Sequence, residues 1–206
     1  RRGMERRRIL LIRHGQTQWN VEGRWQGTLA TSLNTNGFAQ ARALARALRS
    51  RPITAIYTSD LQRAVQTATV LGSVFNLTPV EDPRWRELNL GIFQGLTFPE
   101  IVKRHPQELG AMEANYLDYE IPDGESRRML QARAHAALQS IIAREHEGEV
   151  AVVTHGGTIR ALLLRLFGDN SKVKGLRIPN TSVTTIEVNS GGWHLIEAAS
   201  TAHLVR

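Results

Sequence analysis

The chain has 206 residues, a formal net charge of +7 with His neutral, 41% apolar residues and no cysteine. That size suits a single domain with a substantial core, and the lack of cysteine excludes disulfides, thiolate metal sites and phosphatases of the cysteine-thiolate kind. No apolar run approaches the ~20 residues that span a bilayer, and the basic start before Ile9 leads into too short an apolar run for a signal peptide, so a cytoplasmic location is expected.

The basic residues are 23 Arg and 3 Lys. Apart from the N-terminal tip they are spread along the chain, not gathered on one stripe with aromatics, so a nucleic-acid partner is not expected. A basic surface also draws phosphorylated small molecules.

Arg8 to Ile12 reads as a buried strand ending at Arg13-His14-Gly15. Phe38, Ala41, Leu44, Ala45 and Leu48 recur at helical spacing over 36–49, and Pro52 precedes a second strand, Ile53 to Tyr57. Asp60 is expected to cap the next helix, whose apolar face is Leu61, Ala64, Val65, Ala68 and Leu71. A short strand is expected at Thr78 to Val80, with irregular chain after it. Pro99, Pro106 and Pro122 punctuate weak helical patterns over 97–123, which suits a cap over a site. A long helix is expected from Glu125 to about Glu147, then a strand from Glu149 to Thr154 and a helix from Ile159 to Phe167. Ser182 to Val188 and Trp193 to Ala198 flank Asn189-Ser190-Gly191-Gly192, a hairpin signal. Strands alternating with helices predict one α/β domain over 1–206: a three-layer α/β/α sandwich with a mostly parallel central sheet and an antiparallel edge strand.

The chemistry-bearing signal is a duplication of strand, His-Gly, helix. Ile9-Leu10-Leu11-Ile12-Arg13-His14-Gly15 is one copy and Val150-Ala151-Val152-Val153-Thr154-His155-Gly156 the other. Ligands of parallel sheets bind beyond the carboxyl ends of the strands, and glycine beside each His permits close backbone approach. The usual phosphate loops, the serine elbow and the common His-based zinc spacings are absent. What remains is a His nucleophile or a His acid/base in a site framed by Arg, whose planar fork suits phosphoryl oxygens. Trp19, Trp25, Trp85, Phe93, Tyr116 and Tyr119 are candidates either for core packing or for an apolar entrance. Nothing local separates Glu87 from Glu81, Asp82 or Glu100 as a catalytic acid.

Leu11-Ile12-Arg13-His14-Gly15-Gln16-Thr17 with Trp19-Asn20 resembles the signature of the histidine phosphatase superfamily, also called phosphoglycerate-mutase-like. Arg24-Trp25-Gln26-Gly27, Tyr57-Thr58-Ser59-Asp60-Leu61-Gln62-Arg63-Ala64, Arg86-Glu87-Leu88 with Gln94-Gly95, and Thr154-His155-Gly156-Gly157 continue the resemblance along almost the whole chain. It implies His14 as the nucleophile that becomes phosphohistidine and Glu87 as the general acid, then base. Arg13, Arg63 and His155 would frame the phosphoryl group, with Asn20, Gln26, Thr17 and Gly156 as phosphate or substrate contacts. Neither metal nor cofactor is implied. Ala30-Thr31-Ser32-Leu33 departs from the family's usual Pro-Leu loop, and Gln94 and Asp123 also differ from common choices. The compact 97–123 segment and His155-Gly156-Gly157-Thr158 resemble the broad-specificity phosphatase branch. The expected activity is therefore a metal-independent phosphomonoesterase acting on small phosphorylated metabolites, with a cofactor-dependent phosphoglycerate mutase as the alternative.

Overall fold

Strand β1 (Arg7–Arg13) carries Ile9, Leu10, Leu11 and Ile12 at 1% exposure or less, which requires cover on both faces. In the computed structural model, which describes residues 5–144, 147–168, 173 and 175–205, β1 pairs in parallel with β4 (Glu149–Thr154) and antiparallel with β5 (Val183–Asn189). Strands β2 (Ile53–Thr58) and β3 (Val80–Glu81) extend the parallel side, and β6 (Gly192–Ser200) pairs antiparallel with β5. The order is β3-β2-β4-β1-β5-β6, so the antiparallel margin holds two strands.

Alternation along each strand sorts the core into two layers. Leu10, Ile12, Ala151 and Val153 face α2 (Thr35–Leu48) and α3 (Gln62–Phe75) through Leu44, Leu48, Ala68 and Leu71. Ile9, Leu11, Val150 and Val152 face α6 (Arg127–Ile142) and α7 (Gly156–Phe167) through Leu138, Ile141, Ile159 and Leu162. This is the expected three-layer α/β/α sandwich. A third cluster, built on Phe93, Ile101, Leu109, Met112 and Ile121, packs α4 (Phe98–Arg104) and α5 (Pro106–Ala114) over Leu130 and Ala161. The chain leaves adjacent strands β1 and β4 toward opposite faces, which opens a crevice at their carboxyl ends.

Several boundaries differ from the sequence expectation. Asp60 does not cap α3: the N-cap is Leu61, without a side-chain cap bond, and Asp60 forms a two-pronged ion pair with Arg86 at 2.7 and 2.8 Å. Strand β3 lies at Val80–Glu81, one to two residues late. Helix α6 begins at Arg127 because Ser126 takes the Met129 N–H, and it ends at Ile142; the expected extension crosses 145–146, outside the described residues. Helix α7 starts at Gly156, not Ile159. The segment expected to be irregular holds 3-10 turns at Pro83–Trp85 and Gly91–Phe93. A short helix α1 (Gln18–Glu22), capped by Thr17, was not anticipated.

Candidate active site

Arg13 pairs with Thr154 across the sheet, so the next residues, His14 and His155, emerge side by side. The His14 N–H donates to the Thr154 carbonyl at 3.0 Å, and the two rings lie 5.2 Å apart at 58°. The nucleophile candidate at the end of β1 and the second histidine at the start of α7 thus stand ring beside ring although 141 positions separate them.

His14 is 3% exposed, and its Nδ1 lies 2.7 Å from the Gly15 carbonyl. A carbonyl only accepts, so Nδ1 carries the proton and Nε2 keeps its lone pair. Burial holds His14 well below the usual imidazole range, and the charges of Arg63 and then Arg13 push in the same direction. The neutral, nucleophilic form is therefore the resident one. Gly15 is required here: a Cβ would stand 2.6 Å from the Gly37 carbonyl oxygen, and its N–H donates to Thr67 Oγ1 at 3.0 Å.

His155 Nε2 lies 2.8 Å from Ser59 Oγ. That hydroxyl also accepts from the Leu61 N–H; with its own proton directed to Nε2, the imidazole proton sits on Nδ1. Burial, then Arg63, His14, Arg13 and Arg133, keeps His155 well below its ordinary value.

The arginines are anchored by one end only. Arg63, 1% exposed, donates through Nη1 to the Leu29 carbonyl (2.7 Å) and through Nη2 to the Gly27 carbonyl (2.6 Å). Arg13 donates through Nη1 to the Ile178 carbonyl at 2.7 Å. Arg13 Nε, Arg63 Nε and His155 Nδ1 are buried and have no partner among the described residues. Buried donors are rarely left so, and three of the site's five candidate catalytic residues supply one. Burial presses the Arg63 guanidinium down to about 10, with Glu87 opposing and Arg13 adding to the effect; it stays cationic at neutral pH.

Glu87 reaches the same crevice. Its Oε1 accepts from the Leu88 N–H at 2.7 Å, and its Oε2 from the Gly157 N–H at 3.0 Å, at the start of α7. A cavity of about 520 Å³ opens beside Arg13, Glu87, Gly156, Gly157 and Arg160.

Thr17, Asn20 and Gln26 form a connected group beside His14. Thr17 N–H donates to Asn20 Oδ1 at 3.0 Å, and Thr17 Oγ1 lies 2.8 Å from Gln26 Oε1. Asn20 Oδ1 also accepts from Asn180 Nδ2 at 3.2 Å. Both amide oxygens are occupied, so Asn20 Nδ2 and Gln26 Nε2 are the ends left to donate; Thr17 itself, fully buried, acts as the cap of α1. Thr31, in the loop that departs from the family pattern, lies 3.3 Å from Arg63 Nη1 and 2.6 Å from Gln26 Oε1. Gly156 sits against Arg13, whose Cδ and Nε would be 3.5 Å from a Cβ there.

Of the two readings of the aromatics, core packing holds for most. Trp85 and Phe93, 1% and 0% exposed, are core residues, and Trp25 and Tyr119 pack against the third cluster. Tyr116 lines a cavity beside Glu87.

Sequence reasoning missed the residues that hold the site. Arg133 on α6 donates to the carbonyls of Arg84, Arg86 and Glu87 at 2.6 to 2.9 Å and pairs with Glu125. Asn180 Nδ2 donates to the His14 carbonyl at 3.1 Å. The N–H of Thr181, at φ 59°, reaches the Arg13 and His14 carbonyls at 2.9 and 3.2 Å. Among the described residues no group of three or more His, Asp or Glu is arranged to hold a metal ion, and no helix is long and apolar enough to cross a membrane.

Residues 9–201 match the model of the histidine phosphatase superfamily, branch 1. A metal-independent phosphoserine phosphatase of Arabidopsis thaliana is 39% identical over 95% of this chain and 82% of that protein. A probable phosphoglycerate mutase GpmB of Yersinia pestis is 34% identical over 95% of this chain and 94% of that protein. Among solved structures, a mycobacterial glucosyl-3-phosphoglycerate phosphatase complexed with VO3 superposes with a TM-score of 0.83 at 36% identity, over 95% of this chain and 100% of that one.

Proposed function

Because the chain belongs to the histidine phosphatase superfamily, we propose that it hydrolyses small phosphomonoesters through a phosphohistidine on His14, without a metal. The observation that carries the reading is the pairing of an unprotonated His14 Nε2 with buried, unpartnered donors on Arg13, Arg63 and His155. With His14 and His155 neutral, Arg13 and Arg63 set a positive field around the His14 ring. A dianionic phosphoryl group is the ligand that such a field favours.

In the first half-reaction Nε2 attacks phosphorus in line with the ester oxygen. Arg13 Nε, Arg63 Nε and His155 Nδ1–H donate to the equatorial oxygens as charge spreads over them. Protonated Glu87 gives its proton to the departing alkoxide. In the second, ionised Glu87 takes a proton from water, which attacks the phosphohistidine; the P–N bond breaks, and inorganic phosphate and neutral His14 are regenerated. The segment 97–123 acts as a cap over this crevice. A mutase, suggested by the GpmB relative, would return the phosphoryl group to product instead. The cavity of about 520 Å³ beside Glu87 has room for a substrate and for a water at the base. Phosphoserine and phosphoglycerate-type esters, acted on by the named relatives, lead the list of substrates.

The test is phosphate release from p-nitrophenyl phosphate and a phosphoester panel in EDTA, for wild type and His14→Ala. Undiminished release in EDTA, with a loss of at least ~10³-fold in the variant, is expected, together with an acid-labile, alkali-stable phosphoenzyme on rapid quenching. Full activity in His14→Ala overturns the nucleophile, and interconversion of phosphoglycerates without net release replaces the phosphatase by the mutase.

A further inference from the structure

Next to the phosphoryl site lies a second concentration of positive charge that this chemistry does not use. Arg127, the first residue of α6, stacks its guanidinium 4.0 Å from the centroid of the Tyr116 ring and donates through Nη1 to the Tyr116 carbonyl at 3.2 Å. Arg160, in the second turn of α7, donates through Nη2 to the Leu176 carbonyl at 3.1 Å. Both line a cavity of about 220 Å³ with Glu87 and Gly157. Glu87, Gly157 and Arg160 also border the larger cavity that holds Arg13, so the two spaces adjoin across these three residues.

Neither arginine has a carboxylate within ion-pair reach among the described residues, whereas Arg128 and Arg133 on the same helix are paired with Asp118 and Glu125. Burial and the charge of Arg160 bear on Arg127 in the same unfavourable sense, while Tyr116 and Glu87 relieve it. Two cations therefore face one cavity, and Glu87, the carboxylate among its described lining residues, is already occupied with proton transfer at the ester. Stacking on Tyr116 fixes the plane of Arg127 and leaves part of its fork to a ligand.

We propose that Arg127 and Arg160 form a second anion subsite, which selects phosphomonoesters carrying another anionic group, a carboxylate or a second phosphate, a few bonds from the ester. This rests on the phosphomonoesterase reading and supplies its missing specificity. The group enters beyond Glu87, so its charge is bound on the leaving-group side and departs with the product alcohol.

Matched substrates separate the terms. Phosphoserine is compared with phosphoethanolamine, 3-phosphoglycerate with glycerol 3-phosphate, and fructose 1,6-bisphosphate with fructose 6-phosphate. Wild type is expected to favour the doubly anionic member of at least one pair about tenfold or more in kcat/KM, and the favoured pair tells carboxylate from phosphate. In Arg127→Gln and Arg160→Gln that ratio falls about tenfold through KM, and Arg127→Lys restores part of it. The same pairs are titrated calorimetrically against His14→Ala with and without Arg127→Gln, so that the preference is read without turnover. Absence of turnover in wild type overturns the phosphatase reading alone. A ratio that Arg127→Gln and Arg160→Gln leave unchanged, in turnover and in titration, overturns the subsite.

Discussion

Glu87 shows how closely the backbone is fitted to the proposed acid. Its carboxylate is held between the Leu88 and Gly157 N–H groups, and a Cβ at position 157 would lie 2.5 Å from Oε1 and 3.1 Å from Cδ. Gly157→Ala is therefore expected to displace the carboxylate and lower kcat about 10- to 100-fold, while the thermal midpoint moves little. At position 156 the added methyl meets Arg13 at 3.5 Å, an ordinary contact, so Gly156→Ala is expected to be several-fold milder. Steady-state kinetics on the pair decide it; equal losses would locate the tight constraint elsewhere. The contrast also marks the limit of reading residues from sequence. His14 and His155 are legible because each ends an apolar strand and precedes glycine, a local pattern. Glu87 is legible only by resemblance, since its partner Gly157 is 70 positions away and nothing nearby distinguishes it from Glu81 or Glu100. Ser59 and Asn180, which orient the two histidines, are hidden for the same reason.

At the scale of elements, α6 does more than cover the sheet. Its apolar stripe of Leu130, Ala134, Leu138 and Ile141 is readable from helical spacing. Arg133 breaks that reading: next to the buried Ala134, it turns to the segment 84–87, filling three carbonyls and pairing with Glu125. Thr154 and Thr158 bind the same stretch from the opposite side, through the Trp85 and Arg86 carbonyls at 2.6 and 2.9 Å. The loop bearing Glu87 is thus clamped between β4, α6 and α7 without regular secondary structure beyond its short 3-10 turns. Arg133→Met would take the guanidinium from the Arg84 and Glu87 carbonyls and from Glu125, whose side chain is 13% exposed. A loss of ~2–4 kcal/mol in urea unfolding is expected, along with a fall in kcat larger than any rise in KM. Arg133→Lys, able to satisfy one carbonyl but not the fork, is expected to fall between; a variant as stable as wild type would show the clamp to be redundant.

Across the whole molecule, the α/β class is legible because β-branched and aliphatic runs alternate with helical stripes; the strand order and the small third core under α4 and α5 are not. Those two helices pack through Ile101, Leu109 and Met112 toward residues 88–93 and 130, contacts too sparse to mark a period. The fold also sets the pH response, through the two histidines that it buries side by side. Both are held neutral well below 6.5, by burial first and then, for each, by the charge of Arg63. An unfolded chain binds protons at both sites once the pH falls below about 6.5, while the folded chain refuses them. Their contribution to stability is therefore complete above that pH and is lost as the pH drops toward the depressed folded values. The loss is up to ~1.4 kcal/mol per pH unit for each histidine, or about 2.7 for the pair. Thermal midpoints from pH 8 to 5 should accordingly be flat at first and then descend, and His155→Gln should remove about half of the histidine part of that descent. Carboxylate titrations common to both proteins cancel in the comparison. Parallel curves for wild type and His155→Gln would mean that His155 charges freely in the folded protein, contrary to its buried place beside Arg63 and Arg13.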